Sequence, residues 1–70
     1  MTNPAYPDHI VNAVAIQKVM HPGRWYTQED LRNRAKMEKG EIRGGVKTLL
    51  EANMVEKKYE HDTTQYRRLK

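Results

Sequence analysis

His9, His21 and His61, the acidic pair Glu29 and Asp30, and the run GEIRGG over residues 40–45 are the features whose residue types could support chemistry. The three histidines lack the spacing that would bring two ring nitrogens onto one metal ion, and no cysteine is present to join them. Serine is also absent, so both common side-chain nucleophiles are missing. Glu29 and Asp30 follow Thr27, and TQED matches the capping box that closes the start of a helix, which accounts for both acids without acid–base work. GEIRGG lacks the strand–glycine–lysine context of a phosphate-binding loop. An enzyme, a metal site, a cofactor and a small-molecule ligand are therefore not expected. What remains is the chemistry of recognition. The formal net charge of +4 and the isoelectric point near 9.6 suit an anionic partner. Of the 13 Lys and Arg, only Lys18 precedes Arg24.

The elements that must position those cations belong to one thin domain. A chain of 70 residues buries only about 60% of the surface its unfolded form exposes. The start, MTNPAYPDHI, has neither the charged opening nor the long apolar run of a signal peptide, and no stretch approaches the ~20 apolar residues of a membrane span. A soluble, cytoplasmic protein with no membrane partner is the expectation, and the missing cysteines fit a reducing compartment.

Residues 1–7, with two prolines and little periodicity, read as a flexible tail, and residues 8–70 as the domain. Asp8 is placed to cap a first helix, whose Ile10, Val11, Val14, Ile16 and Val19 make a broad apolar surface. HPG ends it, because a residue before proline disfavours the helical conformation. RWYT is a short β-prone run, and the TQED box then opens a second helix with Leu31 and Ala35 on one face. After KMEKG, where Gly40 either starts the next helix or takes a left-handed turn, a third helix places Ile42, Val46, Leu49 and Leu50 on one side. Asn53, tolerant of the left-handed conformation, is its stop. MVEKKYE and QYRRLK, on either side of HDTT, read as a β-hairpin of undecided register. Trp25, Tyr26, Tyr59 and Tyr66 are expected to complete a core that has no Phe.

Gly44 and Gly45 stand side by side in the third helix, where each costs roughly 0.5–1 kcal/mol relative to Ala. With Ile42, Val46 and Leu49 inward, an angular step of about 100° per residue puts Gly40, Gly44, Lys47 and Glu51 on the outward strip. Arg43, Glu41 and Thr48 lie on its shoulders. Gly45 falls at the edge of the core, a small residue that lets the third helix pack closely on the second. Gly44 faces outward, and beside Arg43 and Lys47 it suits close approach of the backbone to a phosphate chain or a groove wall.

The stretch YTQEDLRNRAKMEKGEIRGGVKTLLEANMVEKK, followed by QYRRL, resembles a winged helix-turn-helix domain. The likeness covers residues from about 8 to 70. It is carried by the capped second helix, the Ile42/Val46/Leu49 face and LLEANMVEKK, where Asn53 stands at a position more often occupied by glycine. The implied fold is α+β: three helices, a C-terminal β-hairpin wing and a short strand near residues 24–27. The implied role is sequence-selective binding of double-stranded DNA as a small transcriptional regulator, with the third helix in the major groove and the wing on the backbone or minor groove. On this sequence the resemblance assigns contacts with base edges to Lys39, Arg43, Lys47 and Thr48, and Gly44 joins the expected DNA-binding set through its outward position.

Lys57, Lys58, Arg67 and Arg68 in the hairpin form the second part of the expected DNA-binding set, with Lys70 beyond them. Basic residues there neutralise phosphates, although Lys and Arg also protect edge strands from aggregation. Glu38, Glu41 and Glu51 weigh against a simple phosphate clamp and suit an alternative, a winged-helix module that binds a protein and no DNA. Self-association or a partner protein is a further expected source of specificity, because a single small module buries little DNA surface.

Overall fold

A computed structural model of the chain describes residues 8–70, and the expected tail over residues 1–7 lies outside them. Helix α1 spans Asp8–Val19, strand β1 Trp25–Thr27, helix α2 Gln28–Ala35, helix α3 Lys39–Glu51, strand β2 Val55–Glu60 and strand β3 Thr63–Arg68. This is a small α+β domain of three helices and one three-stranded antiparallel sheet in the order β1-β3-β2. The sequence order of helix, short strand, helix, turn, helix and hairpin is the expected one.

Local signals account for most element ends. Thr27 caps α2, with Thr27 Oγ1 accepting from the Asp30 amide at 3.0 Å and the Thr27 amide donating back to Asp30 Oδ2 at 3.0 Å. Asp8 lies one residue inside the expected cap position, in the first turn of α1, where its charge complements the helix dipole. The turn between α2 and α3 is made by Lys36 at φ 55°, while Gly40 is simply the second residue of α3. Asn53 does take the left-handed conformation, at φ 57°, just beyond α3.

The core joins Ala13, Ile16 and Met20 to Tyr26, Leu31, Ile42, Val46, Leu49 and Val55. Helix α1 packs mainly against α3, and this corrects one expectation. A Cβ on Gly45 would stand 2.5 Å from Ile16 Cδ1 and 3.1 Å from backbone atoms of Asn12 and Ala13, so Gly45 admits α1, not α2. Because Ala13 and Ile16 take up that contact, Val11 and Val14 face away from the core, 49% and 46% exposed. Gly44 is outward as expected, with nothing within 4 Å of a Cβ built on it.

The hairpin turns through two residues, His61 and Asp62, both with positive φ, and Thr63 and Thr64 belong to β3 rather than to the connection. Pairing of Val55 with Arg68, Lys57 with Tyr66 and Tyr59 with Thr64 fixes the register. Cross-strand partners share a face, so Val55, Lys57 and Tyr59 lie on the side that carries Tyr26 and Tyr66 towards the helices. The helical layer covers only the base of that side. Val55 is buried, but Tyr59 is 68% exposed, contrary to its expected place in the core.

Two substitutions separate the adjacent glycines. Gly44→Ala fills open space and is expected to raise the unfolding free energy by about 0.5–1 kcal/mol. Gly45→Val, wedged against the α1 backbone, is expected to lower it by about 1–3 kcal/mol. Urea denaturation of both variants checks the assignment, and like-signed effects would contradict it.

Candidate nucleic-acid interface

Helix α3 and the hairpin enclose a groove of about 420 Å³. Arg43, Gly44 and Lys47 form its helical wall above a floor of Ile42, Val46 and Leu50, Lys57 and Tyr66 form its strand wall, and Gln28 at the start of α2 closes one end. Spacing explains the helical side: with Ile42, Val46 and Leu49 buried, positions 43 and 47 are four apart on the flank towards the sheet. Lys57 arrives from the other wall because it is paired with Tyr66 on the helix-facing side of the hairpin.

The electrostatics of this groove are those of unneutralised cations. Among the described residues, ion pairs join Lys58 to Glu60 and Arg67 to Glu56; Arg43, Lys47 and Lys57 take part in neither. All three are exposed. Glu41, expected to weaken an anion site, is held within its own helix, where its Oε1 accepts from the Glu38 amide at 3.0 Å and closes the first turn of α3. Gln28 Nε2 is buried without a hydrogen-bond partner, so the end of the groove holds an unused donor. Gln28 and Tyr66 also border a neighbouring hollow that runs past Thr64 to the hairpin turn, which extends the concave surface along the hairpin.

The remaining expected site residues are divided by the fold. Lys39 is exposed in the first turn of α3. Thr48 lies one turn from Gly44 and is partly occupied within the helix, its Oγ1 donating to the Gly44 carbonyl at 3.0 Å. Lys58 and Arg67 point to the opposite face of the sheet, together with Trp25. There the Lys58 ammonium stands 4.3 Å from the centre of the Trp25 ring and the Arg67 guanidinium carbon 4.7 Å from it. Arg68 serves the fold. Its Nη1 donates to the carbonyls of Gln17 and Met20, both at 3.1 Å, and its Nε to the Lys70 carbonyl. The four hairpin cations thus separate into one groove residue, two on the outer sheet face and one structural clamp.

Sequence reasoning missed Gln28 and the groove role of Tyr66. Nothing local marks Gln28, whose position depends on how α2 meets the hairpin. Tyr66 could have been found from its parity with Lys57, had the two-residue turn been recognised.

The assignment of Arg68 is open to a direct check. Arg68→Met removes charged donors from partly buried carbonyls and is expected to lower stability by about 1.5–3 kcal/mol. Lys47→Met, which breaks no bond within the fold, is expected to stay within about 0.5 kcal/mol. Chemical denaturation of the two variants distinguishes a clamp from a surface cation.

No family model matches the chain, and no curated protein or solved structure does.

Proposed function

We propose that this protein is a winged helix-turn-helix domain that binds duplex DNA sequence-selectively, as a small transcriptional regulator acting by site occupancy. Helix α3 enters the major groove, and the β2–β3 hairpin lies along the backbone or minor groove. The observation that carries this reading is the groove in which Arg43, Lys47 and Lys57 converge, free of the ion pairs that occupy Lys58 and Arg67. Gly44 between them leaves open space on the helix, which allows a sugar-phosphate chain to approach the α3 backbone. Arg and Lys suit guanine O6 and N7, and phosphate contacts set the register of the helix on the duplex.

Duplex DNA fits better than duplex RNA, whose deep, narrow major groove excludes a helix. A protein partner would be favoured by an apolar centre within the charged surface. The groove does have an apolar floor, the half-buried Leu50 over Ile42 and Val46, but its rim is made by Arg43, Lys47 and Lys57, none of them ion-paired among the described residues. These three cations are what favours DNA over a protein partner.

Amide-resolved NMR titration with a short duplex, at low and moderate salt, tests the proposal. Shifts are expected at Arg43, Gly44, Lys47, Lys57 and Tyr66, and they should weaken as salt rises. Gly44→Glu is expected to abolish binding without lowering the melting temperature. Lys57→Ala should reduce the slope of log K against log salt by about 0.9, the contribution of one phosphate contact. Lys58→Ala should leave that slope unchanged. Absence of shifts at low salt, or shifts centred on Trp25, would refute the assignment.

A further inference from the structure

Helix α1 has two unlike sides. Ala13 and Ile16 are buried, on the side where Gly45 lets α3 come close. On the other side Ile10, Val11, Val14 and Ala15 line a shallow apolar depression with Lys18 at its end. At about 100° per residue, Val11, Val14, Ala15 and Lys18 share one outward stripe, flanked by Ile10. None of these residues borders the groove between α3 and the hairpin.

We propose that this stripe is covered by a second copy of the chain, α1 packing antiparallel on α1 about a two-fold axis. Charge selects both the occupant and the direction. Asp8 lies in the first turn and Lys18 in the last, at opposite ends of the apolar stripe. In a two-fold antiparallel pair centred between Val11 and Val14, each Val11 meets Val14 of the partner subunit, and each Lys18 lies beside the first turn that carries Asp8 of the partner subunit. The helix dipoles also oppose favourably in this direction. Parallel pairing would set lysine against lysine, and a partner of uniform charge would be repelled at one end.

The interface is small. Twelve residues of helix extend about 18 Å, and one face of that length buries less than the ~800 Å² per partner of a stable complex. Association is accordingly weak and concentration-dependent, with a dissociation constant on the order of 100 μM. It does not depend on what the groove binds, and it leaves both grooves open.

Sedimentation equilibrium and amide-resolved NMR between about 20 μM and about 1 mM, at low salt, test the pairing. The mass should rise from 8.3 kDa towards its double, with shifts confined to α1. Val14→Glu should abolish association while keeping the melting temperature. Lys18→Asp should weaken it about five-fold, and adding Asp8→Lys should restore it to within about two-fold. That restoration cannot come from helix stability, because both changes oppose the helix dipole. A monomer throughout the range, association indifferent to Val14→Glu, or failure of the charge swap to restore it would overturn the proposal.

Discussion

The carboxyl end of α1 is where the fold is tied together. A helix leaves its last carbonyls without internal partners, and the dipole makes that end negative. Pro22 bars any continuation of the helix through His21, so the carbonyls of Val19 and Met20 need donors from elsewhere, and that of Gln17, which accepts from the Met20 amide at 3.2 Å, has room for a second. They receive them from two arginines distant in sequence. Arg34 of α2 donates through Nε to the Val19 carbonyl at 3.1 Å, and Arg68 of β3 donates to Gln17 and Met20. The His21 amide is held in turn by the Tyr26 hydroxyl at 2.9 Å. One helix end thereby anchors α2, β1 and β3. With α1 fixed, Gly45 sets the closeness of α3, and the position of α3 relative to the sheet defines the groove.

A second division of labour runs through the sheet. On the outer face, Lys58 and Arg67 flank Trp25 and are each paired with a glutamate, so a single aromatic ring draws together side chains from all three strands. The neutralised charges there contribute to sheet cohesion more than to any external field. On the inner face Lys57 is left unpaired opposite Arg43 and Lys47. Two adjacent lysines, Lys57 and Lys58, therefore have unrelated surroundings because the side-chain period of a strand is two.

What could be read from the sequence was whatever neighbouring residues settle between themselves. The Thr27/Asp30 box, the left-handed Asn53 and the inward Ile42, Val46 and Leu49 are all local matters, and each stands where expected. Partners chosen across the fold were not legible. Gly45 was matched to the wrong helix because its spacing identifies an inward edge and not the neighbour beyond it. Arg68 resembled its basic neighbours, since its carbonyl partner Gln17 is 51 residues away. Which part of the broad apolar surface of α1 turns inward was not legible either: the smaller Ala13 fits the close approach of α3, while Val11 and Val14 face outward. The positive φ at His61 and Asp62 hid the hairpin register, for that turn usually advertises itself with glycine.

The strand order β1-β3-β2 puts the last of the three described strands in the middle of the sheet. Until β3 has left the ribosome, β1 and β2 have no strand to pair with, and the carbonyls of Gln17 and Met20 lack the Arg68 guanidinium. The nascent chain can form helices and bring apolar residues together, but the sheet cannot close by degrees as its residues emerge. Closure of the sheet therefore waits for β3, which can pair with β2 locally through the two-residue turn but must reach β1 across α2 and α3.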